Sequence, residues 1–474
     1  VDILSTMYLL VYTFGYLMDF FAKTLRLPGT WAHNVRFSVS STGDFSAIKV
    51  NTSAGDAETI DGIVIAGMPN LHSHSFQRAM VGMSEYRQSE NDDFWSWREL
   101  MYQCVNRINP NQLQAITAQL YVEMLKAGYT SVAEFHYLHH QQNGKVFDTL
   151  TSLSDVIVEA AVNSGIGLTL LPTLYQTSGF ADKHPLQDQQ RFINNIDQFG
   201  QLVEELLRLR SAQIQIGLAA HSLRAIEQGA LTDLLALKNK IGAATPLHMH
   251  IAEQQQEVSA CLEHYACRPI EWLFDNYDVD DSWTLIHATH VSDHELQLLA
   301  RSKCIVGLCP TTEANLADGV FPIKDFLDLG GLIGIGSDSH ISVNPIEELR
   351  WLEYGQRLQH EKRVRLIDED KVNNGTYLWE LVSRGGALAC GRPVGDIEVD
   401  RRADLLVLDE NHPILYGKKT EHVLDTLIFA GNTNIIKDVM VGGKWLVKQQ
   451  RHINEDSIKN NFYEAMDSLF KHSE

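Results

Sequence analysis

From residue 63 to about residue 358 the chain repeats one pattern eight times: a short, almost continuous apolar run, a polar loop, then a stretch with helical spacing. The pattern predicts strands at 63–72, 131–137, 166–175, 213–221, 245–251, 283–289, 304–309 and 332–337. It predicts helices at 110–127, 146–163, 187–210, 226–240, 254–276, 292–301, 321–329 and 345–358. A strand that is apolar on both faces must be buried on both, as parallel strands covered by helices are. Eight such units in succession are the pattern of a (β/α)8 barrel. An open, doubly wound sheet alternates in the same way, but no G-x-G-x-x-G follows any of these strands.

A barrel accounts for residues 67–390 and leaves both ends of the 474-residue chain over. Residues 18–66 alternate short apolar runs with turn residues, and 391–450 contain similar runs around glycine turns. The two ends are expected to form one small β-sandwich domain, followed by a helical tail at 451–474. Met7 to Phe21 is apolar and aromatic, with Asp19 its only charge. It is short for a membrane span, and neither a preceding basic residue nor a small-residue cleavage site accompanies it. Residues 1–17 therefore read as an extension ahead of a start at Met18.

A net charge of -21 argues against nucleic acid or an anionic membrane as partner. It also means that an anionic substrate must be drawn in by local cations. The six cysteines are scattered and form no C-x-x-C pair, which suits reduced thiols in the cytoplasm.

Barrels of this kind carry their chemistry at the C-terminal ends of the strands. Here those ends are rich in imidazole and carboxylate. Strand one ends in His72 and His74, which alternation places on one face. Strand two ends in Glu134, His136 and Tyr137, and strand four in His221 and Arg224. Strand five ends in His248, His250 and Glu253, strand six in His287 and His290, strand eight in Asp338 and His340. Imidazole and carboxylate ligands around an open position suit a catalytic zinc, and His72, His74, His250 and Asp338 make such a set. Spacing leaves His248 as an alternative to His250. Glu253, three residues past His250, is placed to shuttle protons as the non-ligand glutamate of zinc deaminases does. His287 directly follows Leu285-Ile286 and is preferred to His290. His290, with His136, His139, His140 and His340, reads as supporting or loop histidine. Arg98 and Arg224 suggest a dicarboxylate substrate, because arginine grips carboxylate through two parallel hydrogen bonds.

The segments M-P-N-L-H-S-H-S-F-Q-R-A-M, A-A-H-S-L-R-A-I, H-M-H-I-A-E-Q, L-I-H-A-T-H, T-E-A-N-L-A-D-G-V-F-P and G-I-G-S-D-S-H resemble the amidohydrolase superfamily. Within it they look like the deiminases that act on N-formimino-L-glutamate in histidine degradation. The resemblance implies zinc ligands at His72, His74, His250 and Asp338, so it favours His250 over His248. It implies an acid/base at Glu253 and the strand-six histidine at His287. Substrate contacts fall on Gln77, Arg98, Tyr137, His221 and Arg224. Strand four ends without the lysine that two-metal members carry, so one Zn2+ per chain is expected. The expected reaction is water attack on the formimino carbon, with the water's proton going to Asp338 or Glu253, to give N-formyl-L-glutamate and ammonia. A homodimer is expected. The competing reading is a zinc deaminase of another amidine-like substrate, such as a purine or pyrimidine base. A barrel that only binds needs neither Glu253 nor His287.

Overall fold

In the computed structural model, residues 18–86, 93–181 and 183–470 are described. The expected extension at 1–17 and the last residues of the tail lie outside them. Eight parallel barrel strands follow one another in chain order: Met68–Ser73, Tyr129–His136, Gly167–Leu174, Leu218–Ser222, Leu247–Ile251, Trp283–His287, Ile305–Leu308 and Leu332–Ile335. Nearly every residue in them is buried, as strands covered on both faces require. The barrel closes at its C-terminal rim. Ser73 bridges Asp338, the His72 carbonyl accepts from the Ser337 and Asp338 N–H groups (3.1 and 3.0 Å), and His74 N–H donates to the Asp338 carbonyl (3.1 Å).

The barrel interior is packed by matching large residues to missing side chains. Leu71 fills the space in front of Gly307 and Gly334, where a Cβ would approach it to 2.6 and 2.5 Å. The helix Asn374–Ala389, which the sequence pattern did not predict, packs its Gly385 directly against the Ile333 backbone and its Gly386 against Pro69. Leu71, Ile286, Ile305, Cys309 and Ala389 form one apolar cluster there.

Ile214–Ile216 pairs with the third barrel strand, and the other strands come from both chain ends and form a single mixed eight-stranded sheet, mostly antiparallel. Its central parallel pair joins Met18–Leu27 to Glu58–Ala66, and Leu405–Leu408 continues it from the C-terminal side. Phe20, Leu25, Val35, Phe37, Phe45, Val64, Val407 and Met440 make its own core.

Several expected elements have different boundaries. The predicted strand 63–72 is two strands. Residues up to Ala66 belong to the mixed sheet, and the barrel strand begins at Met68. Gly67 makes the transition because a Cβ there would lie 2.3 Å from the Thr130 side chain. The predicted strand 213–221 breaks at Gly217, where a Cβ would meet Leu171 at 2.6 Å. The predicted helix 254–276 is Gln255–Tyr265 and Pro269–Asn276, divided by the left-handed Ala266 and by the proline. Residues Val423–Phe429, read as strand, form a helix instead. Phe94–Val105, to which the sequence pattern assigned no element, is helical and carries Arg98. Among the described residues no helix is long and apolar enough to cross a membrane.

Candidate metal centre and substrate cleft

The strand ends bring His72, His74, His250 and Asp338 together, with one ligand atom from each lying within 4.8 Å of the others. His250 Nε2 is 3.0 Å from His72 Nε2 and 3.4 Å from His74 Nε2. Both His72 and His74 place Nε2 at 3.3 Å from Asp338 Oδ1. The tautomers follow from the other ring nitrogens. Nδ1–H of His74 donates to the Phe135 carbonyl (3.0 Å) and Nδ1–H of His250 to the His221 carbonyl (2.9 Å). A neutral ring protonated at Nδ1 leaves the Nε2 lone pair free. Burial holds all three imidazoles below the usual histidine range, so they stay neutral. Unprotonated nitrogens turned toward one another and toward a carboxylate are the donor set of a divalent cation. Carbonyls bonded behind the His74 and His250 rings fix the orientation of those two. His248 is turned away and bonds the Ala389 carbonyl through Nε2 (2.8 Å), so geometry separates it from His250.

Glu253 and His287 stand beside this set. His287 Nε2 is 3.7 Å from Glu253 Oε1 and 3.7 Å from Asp338 Oδ2. Burial, reinforced by Asp338, pushes the Glu253 carboxyl up to about 7, a value suited to taking and returning a proton near neutrality. Burial works against a charged His287, but Glu253, Glu313 and Asp338 outweigh it and carry its pKa to about 10.

The strand ends bearing these groups turn through left-handed residues that are not glycine: Ala252 (φ 50°), His287 (67°), Ala288 (48°) and Asp338 (44°). Such conformations cost about 1–3 kcal/mol each and persist only where surrounding contacts impose them.

A cleft opens over the centre. Gln77, Arg98, Tyr137, His221 and Arg224, the substrate contacts implied by the resemblance, all line it together with Glu253, His287 and Asp338. Gln77 Nε2 donates to the Tyr137 hydroxyl (3.4 Å). Burial, and then Arg224, keep His221 neutral. Arg98 Nε and Nη1 and Arg224 Nε are buried without hydrogen-bond partners among the described residues. Burial opposes the charge on Arg224, but Glu257, Tyr175 and Glu253 more than offset this.

Several residues that support the cleft from behind its lining carried no signal that sequence reasoning could use alone. Trp95 lies under both guanidiniums, 4.3 Å from Arg98 Cζ and 5.7 Å from that of Arg224. A ring face can hold two cations close together where an acid would neutralise them. Gln189 Nε2 donates to the hydroxyls of Tyr102 (3.0 Å) and Tyr175 (2.9 Å), both in the cleft wall. Glu313 and Asp318 belong to the T-E-A-N-L-A-D-G text, where nothing but the resemblance marked them. Burial, and then Glu253, push Asp318 up to about 9. His340 supports the barrel seam through Ser73 (3.3 Å) and Ser337 (3.1 Å), and His139 and His140 bond backbone carbonyls. A second group of possible ligands, His287, Cys309 and Asp338, shares Asp338 with the first.

The amidohydrolase family matches residues 63–446 of the chain. A formimidoylglutamate deiminase of Pseudomonas aeruginosa is 47% identical over 95% of this chain and 99% of its own length. A 5-methylthioadenosine/S-adenosylhomocysteine deaminase of Natronomonas pharaonis is 25% identical over 87% of this chain and 88% of its own. The crystal structure of an amidohydrolase from Brucella melitensis superposes with a TM-score of 0.90 at 40% identity, covering 95% of this chain and 99% of that one. The zinc complex of an atrazine chlorohydrolase from Arthrobacter aurescens, at 20% identity and a TM-score of 0.80, shares the fold. A family match across most of the chain, and a relative 47% identical along nearly its whole length, place this chain in the amidohydrolase family.

Proposed function

We propose that this protein hydrolyses N-formimino-L-glutamate to N-formyl-L-glutamate and ammonia, with one zinc ion per chain held by His72, His74, His250 and Asp338. The observation that carries the substrate is the pair Arg98 and Arg224, both lining the cleft, with Arg98 Nε and Nη1 and Arg224 Nε buried without hydrogen-bond partners among the described residues. A substrate with two carboxylates supplies what they lack, and a purine or pyrimidine base does not. The 47% identical deiminase supports the same reading.

When bound, the zinc supplies Lewis acidity that makes water acidic enough to attack near neutral pH. The residues do the rest. Arg98, Arg224, Tyr137, Gln77 and His221 hold the carboxylates and set the formimino carbon over the centre. Water adds to that carbon, forming the C–O bond, and Glu253 takes its proton. His287 Nε2–H donates to the oxygen of the tetrahedral centre. Glu253 returns that proton to the imino nitrogen, giving an NH2 group on the tetrahedral carbon, and then carries the remaining hydroxyl proton to the same nitrogen; as the C–O bond becomes a carbonyl the C–N bond breaks and ammonia leaves. A single ion is favoured because, against burial, Glu253, Glu313 and Asp338 carry the His287 pKa to about 10, so that both ring nitrogens keep their protons and offer no lone pair to a second ion. Burial, then Asp338 and Glu313, also push the Cys309 thiol up, which makes it a poor ligand for a second ion.

In this reading the barrel, residues 67–390, carries the chemistry, and the unit made of 18–66 and 391–450 braces it. Six free thiols fit a cytoplasmic protein, and the working unit is a homodimer. The test is ammonia release from N-formimino-L-glutamate, guanine and cytosine in parallel. Turnover of the first alone is expected; turnover of a base with none of formiminoglutamate would replace this reading with the base-deaminase one.

A further inference from the structure

Glu313 lies on the short helix Pro310–Asn315, after strand seven, and is buried. Its Oε1 accepts two hydrogen bonds: from the Cys309 backbone N–H at 2.8 Å and from His287 Nδ1–H at 3.2 Å. The first bond fixes the carboxylate to the end of its own strand. The second fixes the imidazole. His287 needs such a hold, because its backbone is left-handed, as is that of Ala288 after it. The Ala288 N–H is shared between the Ile251 and Ile286 carbonyls, so the backbone turn is anchored separately from the ring. Nothing else among the described residues bonds Nδ1, and the opposite nitrogen faces Glu253 and Asp338 across 3.7 Å. Glu313 is thus the group that decides which way the ring points.

We infer that Glu313 is a positioning residue for the hydrolysis: it locks His287 with Nδ1 protonated and Nε2 aimed at the reacting carbon, without touching substrate or metal. This rests on the hydrolytic reading above. The arrangement resembles a metal-bound histidine oriented by a carboxylate behind it, except that the oriented nitrogen serves the substrate oxygen instead of a metal. Loss of the carboxylate should lower the probability that His287 meets the tetrahedral centre, while leaving the arginine clamp as it was.

The test compares Glu313→Leu and Glu313→Gln with wild type. Leucine removes the acceptor and keeps the bulk; glutamine keeps an acceptor oxygen for both donors and removes the charge. For Glu313→Leu we expect kcat to fall about 10- to 100-fold, with KM within about threefold and zinc content unchanged. Glu313→Gln should recover part of the loss. A second readout does not depend on turnover. In protein labelled with ¹⁵N-histidine, the signal missing in His287→Asn identifies the Nδ1–H of His287. Its proton should move upfield in Glu313→Gln as a charge-assisted bond becomes a neutral one. An unmoved signal overturns the proposal, even if Glu313→Leu does not fold. So does wild-type kcat in Glu313→Leu, or a loss confined to KM or to zinc. If wild type itself does not turn over formiminoglutamate, the substrate reading fails, and the Nδ1 signal still decides the role of Glu313.

Discussion

Arg224 concentrates the substrate question in one side chain. The protein is acidic overall, so a dianionic substrate gains nothing from the average field and must recover its desolvation cost from a few fixed cations. Arg224 lines the cleft, is buried, keeps its charge and has an Nε without a partner among the described residues. Arg224→Met should cost roughly 2–5 kcal/mol, or about 30- to 5,000-fold in kcat/KM, for formiminoglutamate. The loss should be much smaller for an analogue lacking a carboxylate. Lysine should rescue only in part, since a point charge cannot reproduce the two-pronged geometry. Equal losses on both substrates would show that Arg224 serves the fold. At Glu253 the prediction is a separation of metal from turnover. Glu253→Gln should keep zinc by metal analysis and lose about 10²- to 10⁴-fold in kcat, because an amide fills the space but moves no proton. A metal-free variant would make Glu253 a ligand.

At the level of elements, the metal set depends on the seam where strand eight meets strand one. Gly336 ends the last strand, and a Cβ there would lie 2.7 Å from His72 Cβ and 2.9–3.0 Å from the His72 backbone. None of these atoms can rotate away. Gly336→Ala should therefore push the seam open, at a cost of about 1–3 kcal/mol in stability. Because the pressure falls on a ligand, zinc content and activity should fall more steeply than melting temperature. Full zinc loading with full activity would show that the seam yields. Elements with local signals were easy to recognise. The helix Pro110–Ala127 begins at the Asn109 capping box with proline at its first position and ends at left-handed Gly128, and its predicted bounds match. Elements ended by a distant neighbour were not. Gly67 and Gly217 interrupt strands because Thr130 and Leu171 stand in the way, and neither contact has a trace in the local pattern.

For the molecule as a whole, the bound metal should be a stabiliser. A cation that binds four groups from strands one, five and eight binds the folded chain only, and at a hundredfold excess over Kd contributes about 2.7 kcal/mol. Chelation should lower the melting temperature by several degrees and zinc should restore it; an unchanged melt would mean that the four groups do not hold a metal. Arg392 is a second clasp, remote from the chemistry. It is buried and donates to the carbonyls of Leu168 (3.1 Å), Gln213 (3.0 Å) and Ala212 (3.0 Å), joining the chain after the barrel to strand three and the segment that follows. Arg392→Met should destabilise by about 3–5 kcal/mol, because several buried carbonyls lose their donor together. The kinetics of the folded fraction should stay as in wild type.

The sequence alone determined the repeating architecture and the identity of the histidines and carboxylates at strand ends, because both follow from short-range rules. An apolar run buried on both faces demands a covered parallel strand, and the C-terminal end of such a strand is where a barrel exposes its residues. Even His72 and His74 on one side is a consequence of alternation. What tertiary structure decided is everything that requires two distant segments to meet. His250 rather than His248 reaches the metal set, because the strand is irregular where it pairs with its neighbour and His248 is drawn to the Ala389 carbonyl. Arg98 joins Arg224 only because an unforeseen helix carries it over the cleft with Trp95 beneath both. Glu313 becomes the partner of His287 across 26 residues of chain. Pattern and propensity act over a few residues, whereas these contacts are set by the closure of the barrel, which no local stretch of sequence contains.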